Sequence, residues 1–299
     1  MENKWPVLSY ENGKKTYETL HMFTQILGKI KLETLPWQNH SWHVTLKFTP
    51  TGLTTNTLPY KDIFFQIDLD LVKHILKITT SRGEKRTFEL RGLSVSSFNE
   101  RLFNELRELK IAIEIYGKPV EIEHPIPFAE DNMHNTYDPV QAGDLHHALL
   151  AMQQVFFEFK CGFKGKSSDV HFFWGSFDLA VSFFSGRKAP EHPGGFPNLA
   201  NWVAVEAYSH EVMSFGFWPG SEALPEAAFY SYLYPEPEGY KEAAIKPGEA
   251  YYHPNLREFV LPYKAVANAK DPNKKLKEFL ESAYSAGTNL ANWNMDLLE

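Results

Sequence analysis

The segment at residues 171–184 constrains the fold most strongly, because its side chains alternate in character with a period of two. Such alternation is typical of a β-strand with two different faces. One face is apolar, as in a protein core, and holds Phe173, Gly175, Phe177, Leu179, Val181 and Phe183. The other is small and polar at its centre and aromatic at its ends: Phe172, Trp174, Ser176, Asp178, Ala180, Ser182 and Phe184. A strand that faces solvent more often carries Lys, Glu and Thr, so the second face indicates a binding or active site.

Two later segments, residues 202–218 and 228–234, are also predicted to be strands. The first places Trp202, Ala204, Glu206, Tyr208 and His210 on one face, and the second places Tyr230, Tyr232 and Tyr234 together. If the three strands are neighbours, one sheet surface combines acids, a base, hydroxyls and rings: Trp174, Ser176, Asp178, Glu206, Tyr208, His210 and the three tyrosines. A concave surface of that composition suits a small-molecule site. A bulge at Gly175 or Gly216 would change which residues share it.

The whole chain is predicted to be an α+β protein in which antiparallel sheets are flanked by helices. Apolar residues at helical spacing predict helices near residues 16–30, 95–109, 138–159 and 271–290, and the last two begin at Asp-Pro pairs. Further strands are expected near residues 43–48, 64–71, 75–80, 87–90 and 111–115. Residues 1–126 and 127–299 thus form two halves of similar order, and the second carries the pocket. A true duplication and one continuous domain both stay open.

Composition and charge limit the partners of the chain. Its 299 residues carry a net charge of -7, which argues against a nucleic-acid partner because such binding depends on concentrated Lys and Arg. The single Cys161 rules out an intramolecular disulfide, and residues 1–10 lack the apolar core of a secretory signal. Residues 171–184, the longest apolar stretch, are too short and too polar to cross a membrane. We therefore expect a cytoplasmic protein, whereas its cofactor and oligomeric state are unknown.

The polar face of the predicted sheet supplies candidate functional residues. Asp178 and His210 are the expected acid/base pair of an enzyme, while Lys166 and Arg187 are expected to meet an anionic group of the ligand. Other expected ligand contacts are His171, Trp174, Ser176, Glu206, Tyr208 and Tyr230. The sequence thus predicts binding of a small molecule, with an anion as one option and catalysis left open. The alternatives are that Asp178 and His210 are structural polar groups, or that exposed aromatic residues bind a partner chain.

Two other kinds of site are weaker alternatives. His134, His171 and His210 would suffice as three metal ligands, although the chain has no Cys-x-x-Cys or His-Glu-x-x-His motif. His43-Val44-Thr45-Leu46 is similar to the His-x-Thr-x element of two-histidine phosphoesterases, which need two such elements facing each other. A second match at His134-Asn135-Thr136-Tyr137 lies in a loop-like stretch. A hydrolase that uses His43 and His134 is therefore an alternative of lower rank.

Several segments of this chain together resemble one bacterial family. They are Trp42-His43-Val44-Thr45-Leu46 through Gly52-Leu53-Thr54-Thr55, Val170-His171-Phe172-Phe173-Trp174-Gly175-Ser176-Phe177-Asp178-Leu179, Phe184-Ser185-Gly186-Arg187 and Gly216-Phe217-Trp218-Pro219-Gly220. In these segments the chain resembles a family catalogued as domain of unknown function 5996, and the resemblance covers nearly its whole length. The resemblance implies a cytoplasmic bacterial protein with one family-length unit. It supplies no activity and hence no catalytic role for any residue.

Overall fold

The computed structural model describes residues 5–298 and confirms the predicted α+β architecture. Its central element is helix α1, Tyr10–Thr34, which is buried along most of its length. Ser9 caps the first turn, because its side chain accepts a hydrogen bond from the backbone N–H of Asn12. The helix ends at Leu35, immediately before Pro36, since a proline disfavours helical backbone in the residue that precedes it.

The remaining helices surround α1 and the second sheet. They are α2 (Val95–Glu108), α3 (Pro139–Lys160), α4 (Asn201–Ala207), α5 (Tyr263–Ala267) and α6 (Pro272–Leu290). The predicted starts of α3 and α6 are confirmed, because the carboxylates of Asp138 and Asp271 accept hydrogen bonds from backbone N–H groups of their first turns. Helices α2 and α3 pack on α1, and α6 packs on α3. Across residues 5–298, no helix has the length and apolar character needed to span a membrane.

The first sheet is built entirely from antiparallel pairs. Its strands are β1 (Lys47–Thr49), β2 (Gly52–Thr54), β3 (Leu58–Tyr60), β4 (Ile63–Asp70), β5 (Ile75–Thr80) and β6 (Lys85–Glu89). They lie in the order β1-β2-β4-β5-β6, with β3 also paired to β4. The strand predicted at residues 43–48 is mostly wrong, since a 3-10 helix, Asn39–Val44, occupies its first part. Residues 111–115, also predicted as a strand, join neither sheet.

The second sheet has the strand order β11-β12-β10-β9-β8-β7 and is likewise antiparallel. Its strands are β7 (His171–Phe173), β8 (Asp178–Lys188), β9 (His210–Trp218), β10 (Ala228–Tyr234), β11 (Tyr251–His253) and β12 (Glu258–Pro262). The apolar face of β8 packs towards α3, where Phe183 contacts the ring of Phe159. The opposite face carries Asp178, Ala180, Ser182 and Phe184, as the alternation predicts.

Two predictions about the strands of the second half are wrong. Residues 174–177 form a turn between β7 and β8, and Phe173 lies directly opposite Asp178 across the hairpin. Paired residues share a sheet face, so Phe173, rather than Phe172, lies on the face of Asp178. The strand predicted at residues 202–218 is helical in its first part, where α4 replaces it, and β9 begins only at His210.

Within residues 5–298, the two sheets meet at one antiparallel bridge. Leu46 and Phe172 exchange both backbone hydrogen bonds, at 2.9 and 3.0 Å. One cluster of buried apolar residues extends from Phe23 of α1 through both sheets to Phe279 of α6. The strand orders of the two sheets differ, and duplication of the two halves stays a hypothesis.

Candidate functional site

A cavity of about 290 Å³ lies on the face of the second sheet that α3 and α6 do not cover. Its floor consists of side chains from β8, β9 and β10: Asp178, Ala180, Ser182, Val212, Ser214 and Tyr232. Its walls come from α1, the 3-10 helix at Asn39–Val44, the β7–β8 turn and α4. The volume lies just below the usual range for small-molecule sites, about 300–1,000 Å³. The cavity lies on the sheet face for which the sequence predicts a pocket, and the N-terminal half supplies much of its wall; its use as a binding site stays a prediction.

Asp178 has one carboxyl oxygen bonded and one without a partner. Its Oδ2 accepts a 2.5 Å hydrogen bond from the hydroxyl of Tyr230, which lies two strands away on β10. The ring of Tyr230 reaches Asp178 across Gly216 of β9, where an added Cβ would lie 2.3 Å from the ring. The other oxygen, Oδ1, is buried and has no hydrogen-bond partner among residues 5–298. An unsatisfied buried acceptor is costly, and this oxygen can accept a further hydrogen bond.

Acidic groups around the floor have raised pKa values. Burial raises the pKa of Asp178 to about 7, with a further rise from Glu121, although the Tyr230 hydrogen bond lowers it. Burial, followed by the charge of Asp178, raises the pKa of Glu258 on β12 to about 8. Burial also raises the pKa of Glu121, and the hydrogen bond from Ser176 lowers it. Asp178 and Glu258 therefore take up protons near neutral pH and can then donate hydrogen bonds.

Glu121 enters the cavity from the segment that joins the two halves. It adopts a left-handed backbone conformation with φ of 60°, which is uncommon for a residue with a side chain. Its Oε2 accepts a 2.8 Å hydrogen bond from Ser176 in the β7–β8 turn. Its Oε1 lies against Gly175, at 2.0 Å from where a Cβ would be. A strained residue held over a glycine at a cavity wall is typical of a functional position.

Hydroxyl groups complete the polar part of the cavity. The hydroxyls of Tyr208 and Tyr232 are 2.9 Å apart, and those of Ser182 and Ser214 are 3.2 Å apart. Burial raises the pKa of Tyr208 to about 12, so it stays protonated. These groups can donate or accept hydrogen bonds but carry no charge at neutral pH.

Aromatic rings form most of the remaining wall. The indole of Trp174 lies against Gly28 of α1, where an added Cβ would be 2.0 Å from its nitrogen. The Nε1–H of Trp174 donates a 2.9 Å hydrogen bond to the carbonyl of Val44, which fixes the ring. Trp37 and Trp202, both exposed, approach to 5.0 Å between ring centroids. Because both rings also line the cavity, this exposed pair marks its mouth.

His40 links the 3-10 helix to α4 and to the predicted residues Lys166 and Glu206. Its backbone N–H donates to both carboxylate oxygens of Glu206, at 3.0 and 2.8 Å. Its Nδ1 lies 2.9 Å from the carbonyl of Ala207, and its Nε2 lies 2.7 Å from Nζ of Lys166. Burial lowers the pKa of His40, which favours a neutral ring that donates from Nδ1 and accepts at Nε2. Glu206 and Lys166 therefore position His40, which lines the cavity, but they do not line the cavity themselves.

Of the ten residues predicted for the site, Asp178, Trp174, Ser176 and Tyr208 line the cavity. Tyr230 lies behind Asp178 and bonds to it. The structure does not bring Asp178 and His210 together, because β9 places His210 opposite Lys188 and places Phe217 opposite Leu179. Seven residues separate these positions on β9, or roughly 23 Å at about 3.3 Å per residue.

Arg187 and His171 also lie outside the cavity lining. The guanidinium of Arg187 pairs with Glu211 at 2.6 Å and donates to the carbonyls of Ala291 and Asn292 at the end of α6. Cations at that position complement the carbonyl groups of a helix end. His171 is 1% exposed on β7 with an unpartnered Nε2, and burial lowers its pKa to about 3. Any role of these residues in catalysis or binding stays a prediction.

Within the described residues, the side chains suggested for a metal site or a phosphoesterase site do not come together. Within residues 5–298, no three His, Cys, Asp or Glu side chains cluster in a way that could hold a metal ion. His43 lies against Trp37 and bonds to the backbone of Gln38, whereas His134 bonds to Asp131 at 2.7 Å. Neither histidine lines the cavity.

The first half contributes wall residues that the sequence did not predict, chiefly Lys29, His40 and Glu121. Lys29 is 3% exposed on α1, and its ammonium lies over the rings of Tyr116 and Trp174, at 5.1 and 5.8 Å. Lys29 lies off the apolar stripe of Tyr17, Leu20, Phe23, Leu27 and Ile30, so its burial follows from tertiary packing against α1 and no local pattern indicates it.

Comparison with known proteins confirms the resemblance noted in the sequence. The model of a family of unknown function, DUF5996, matches residues 5–299. Neither the curated proteins nor the solved structures contain a match to the chain. We therefore base the functional proposal on the cavity.

Proposed function

The chain belongs to this family of unknown function, and we propose from its cavity that it binds a small organic molecule between the second sheet and α1. The observation that carries the proposal is the unpartnered Oδ1 of Asp178 at the floor of the cavity. A bound molecule that donates a hydrogen bond to this oxygen removes the cost of leaving it unsatisfied. The aromatic walls supply the apolar contacts that most small-molecule sites use.

The shape of the site favours a small ligand over a partner chain. A partner chain would need a broad exposed patch with aromatic anchors at its centre. Here the aromatic side chains surround a recess, and only Trp37 and Trp202 at its mouth are strongly exposed among the tryptophans of its wall. The wall between Trp202 and Tyr208 belongs to α4, a helix of seven residues. Such a short element can move aside to admit a ligand.

Acid/base catalysis on the bound molecule is a second candidate function, carried by the pKa of Asp178. Burial raises this pKa to about 7, and a group whose pKa lies near the working pH can both take and give a proton. Glu121, whose pKa is also raised by burial, lines the same cavity. It is therefore a better candidate partner of Asp178 than His210, which does not line it. In this proposal Asp178 contacts the reacting atoms directly.

A fragment screen by ligand-observed NMR tests the binding proposal. Ala207 lines the cavity from α4, and Ala207→Trp fills space there. Ala200, just ahead of α4, is exposed and does not line it, so Ala200→Trp is the matched control. We expect fragments that bind the native protein and the control but lose binding to Ala207→Trp. Equal binding to both variants would place the fragments elsewhere and contradict the proposal.

A pair of isosteric substitutions tests the role of Asp178. Asp178→Asn preserves the size of the side chain but replaces a carboxyl oxygen by an amide nitrogen, so a hydrogen-bond donor of the ligand loses its acceptor. Asp169→Asn is the control, because Asp169 is largely exposed and pairs with Lys47 outside the cavity. We expect at least tenfold weaker binding of the best fragment for the first variant, equivalent to about 1.4 kcal/mol, and an unchanged affinity for the second.

A further inference from the structure

Lys29 is a buried cation that faces the cavity without a counter-ion. Within residues 5–298 its ammonium has no carboxylate within 4.0 Å and no hydrogen-bond acceptor, only the rings of Tyr116 and Trp174. Burial lowers its pKa to about 8, and Glu33, the second contributor, raises it. The group is thus still mostly charged at pH 7. An unpaired buried charge is costly, and a ligand that supplies an anion would offset that cost.

The other cations that the sequence suggested for an anionic ligand are already bonded. Arg187 bonds to Glu211 and to the end of α6. Lys166 bonds to His40 and lies over Trp42 and Phe184 from outside the cavity. Among the described residues that line the cavity, Lys29 is therefore the one that carries a positive charge at neutral pH.

The acidic residues of the cavity do not exclude an anion. Burial raises the pKa of Asp178 to about 7, so it is partly protonated at neutral pH, and burial also raises the pKa of Glu121. In the protonated form each carboxyl group donates a hydrogen bond instead of repelling a negative charge. The hydroxyls of Tyr208 and Tyr232 are neutral donors as well.

We infer that Lys29 receives the carboxylate of a small monocarboxylic acid whose apolar body packs among the aromatic walls. This inference rests on the proposed function and names the class of ligand for the same cavity. One ammonium matches a single negative charge. Phosphate groups are more often held by arginine or by the N–H groups of a helix N-terminus, and no arginine lines the described part of this cavity. The volume of about 290 Å³ accommodates a body of one to two aromatic rings, since an apolar cavity of about 150 Å³ already holds benzene.

Three probes of nearly equal size separate charge from shape. Phenylacetate is the anion, 2-phenylethanol the neutral analogue and phenethylamine the cation, and calorimetry measures each against the native protein and Lys29→Met. Lys15→Met is the control, because Lys15 is an exposed lysine of the same helix that does not line the cavity. We expect phenylacetate to bind about tenfold tighter than the alcohol and to lose that advantage in Lys29→Met alone. If Lys29→Met does not fold, Lys29→Gln replaces it.

A second measurement distinguishes ion pairing from a structural effect of the substitution. Phenylacetate should raise the pKa of Lys29, followed by NMR of the labelled side chain, whereas 2-phenylethanol should not. Equal affinity for the anion and the alcohol, or tightest binding of the amine to Asp178 and Glu121, overturns the inference while the proposed function stands. Failure of all three probes also overturns it. The proposed function falls only if the wider fragment screen finds no ligand of the cavity.

Discussion

Lys29 and Lys31 lie two residues apart on α1 and are each 3% exposed, yet only Lys31 has hydrogen-bond acceptors. Its ammonium donates to the carbonyls of Thr45 and Thr55, at 2.6 and 2.9 Å. Lys29 meets only aromatic rings among the described residues. Burial lowers both pKa values to about 8, so the two lysines differ in their partners rather than in their exposure. Lys31 thus bonds the end of the 3-10 helix and the first sheet to α1, whereas Lys29 faces the cavity.

This difference predicts opposite effects of the same substitution on stability. Lys29→Met removes an unpaired buried charge, and we expect it to leave the free energy of unfolding unchanged or to raise it. Lys31→Met leaves two buried carbonyls unsatisfied, and we expect a loss of about 1–3 kcal/mol. Urea denaturation of the ligand-free protein at pH 7 measures both. An equal loss in the two variants would mean that Lys29 has a structural partner after all.

The raised pKa of Asp178 predicts that the free energy of unfolding falls as pH rises. Its folded pKa, about 7, lies above its ordinary value of 3.8, so the folded protein binds more protons than the unfolded chain between these pH values. The free energy of unfolding then decreases as pH rises through that range, by at most about 1.4 kcal/mol per pH unit from this group. The difference between native and Asp178→Asn unfolding curves, measured from pH 4 to 8, should show this slope. A flat difference would contradict a raised pKa.

The lowered pKa of His171 predicts the opposite dependence, in which the free energy of unfolding rises with pH. Burial lowers its pKa to about 3 from 6.5, so the unfolded chain binds the extra proton as pH falls below about 6.5. The stability associated with a neutral His171 is present above that pH and is lost on acidification. His171→Phe keeps a ring beside Phe173 and cannot be protonated. We expect the variant to resist acid unfolding better than the native protein, whereas identical acid transitions would refute the assignment.

Gly216 predicts a steric effect on the Asp178–Tyr230 pair. A Cβ at this position would lie 2.3 Å from the Tyr230 ring and 2.4 Å from the carbonyl of Leu179. Gly216→Ala should therefore cost about 1–3 kcal/mol of stability through overpacking, and should raise the pKa of Asp178 by weakening the hydrogen bond from Tyr230. Carboxyl NMR titration reports the pKa. Gly143→Ala in α3, where an added Cβ meets open space, is the control and should be neutral or stabilising.

The elements that were predicted correctly are those that depend on residues close together in the sequence. The Asp-Pro starts of α3 and α6 and the alternation within β8 follow from capping and from the strand period, and the structure confirms them. Residues 202–210 also alternate, but the first part of this segment is α4, because a helix of seven residues leaves too short a pattern to separate the two periods. His210 lies away from Asp178 for a different reason, because the strand register sets it seven residues along β9 from the position opposite Leu179.

The wall of the cavity depends on long-range topology, which the pattern of one segment does not encode. Trp174 contacts Gly28, and Ser176 contacts Glu121, across separations of more than fifty residues. The four-residue turn before Asp178 also exchanges the faces of β7 relative to β8. Asp178 was identified because its own strand carries the signal, whereas Lys29 and Glu121 become neighbours of the cavity only once the halves pack.

A crystal structure of the protein soaked with the best fragment tests the central claim most directly. We expect electron density for the fragment inside the cavity, with a hydrogen-bonding atom, a donor or an acceptor, within about 3.2 Å of Oδ1 of Asp178. For a carboxylic acid, the carboxylate should lie beside the ammonium of Lys29. Density confined to another surface, with only water at Oδ1 of Asp178, would contradict the claim that this cavity is the binding site.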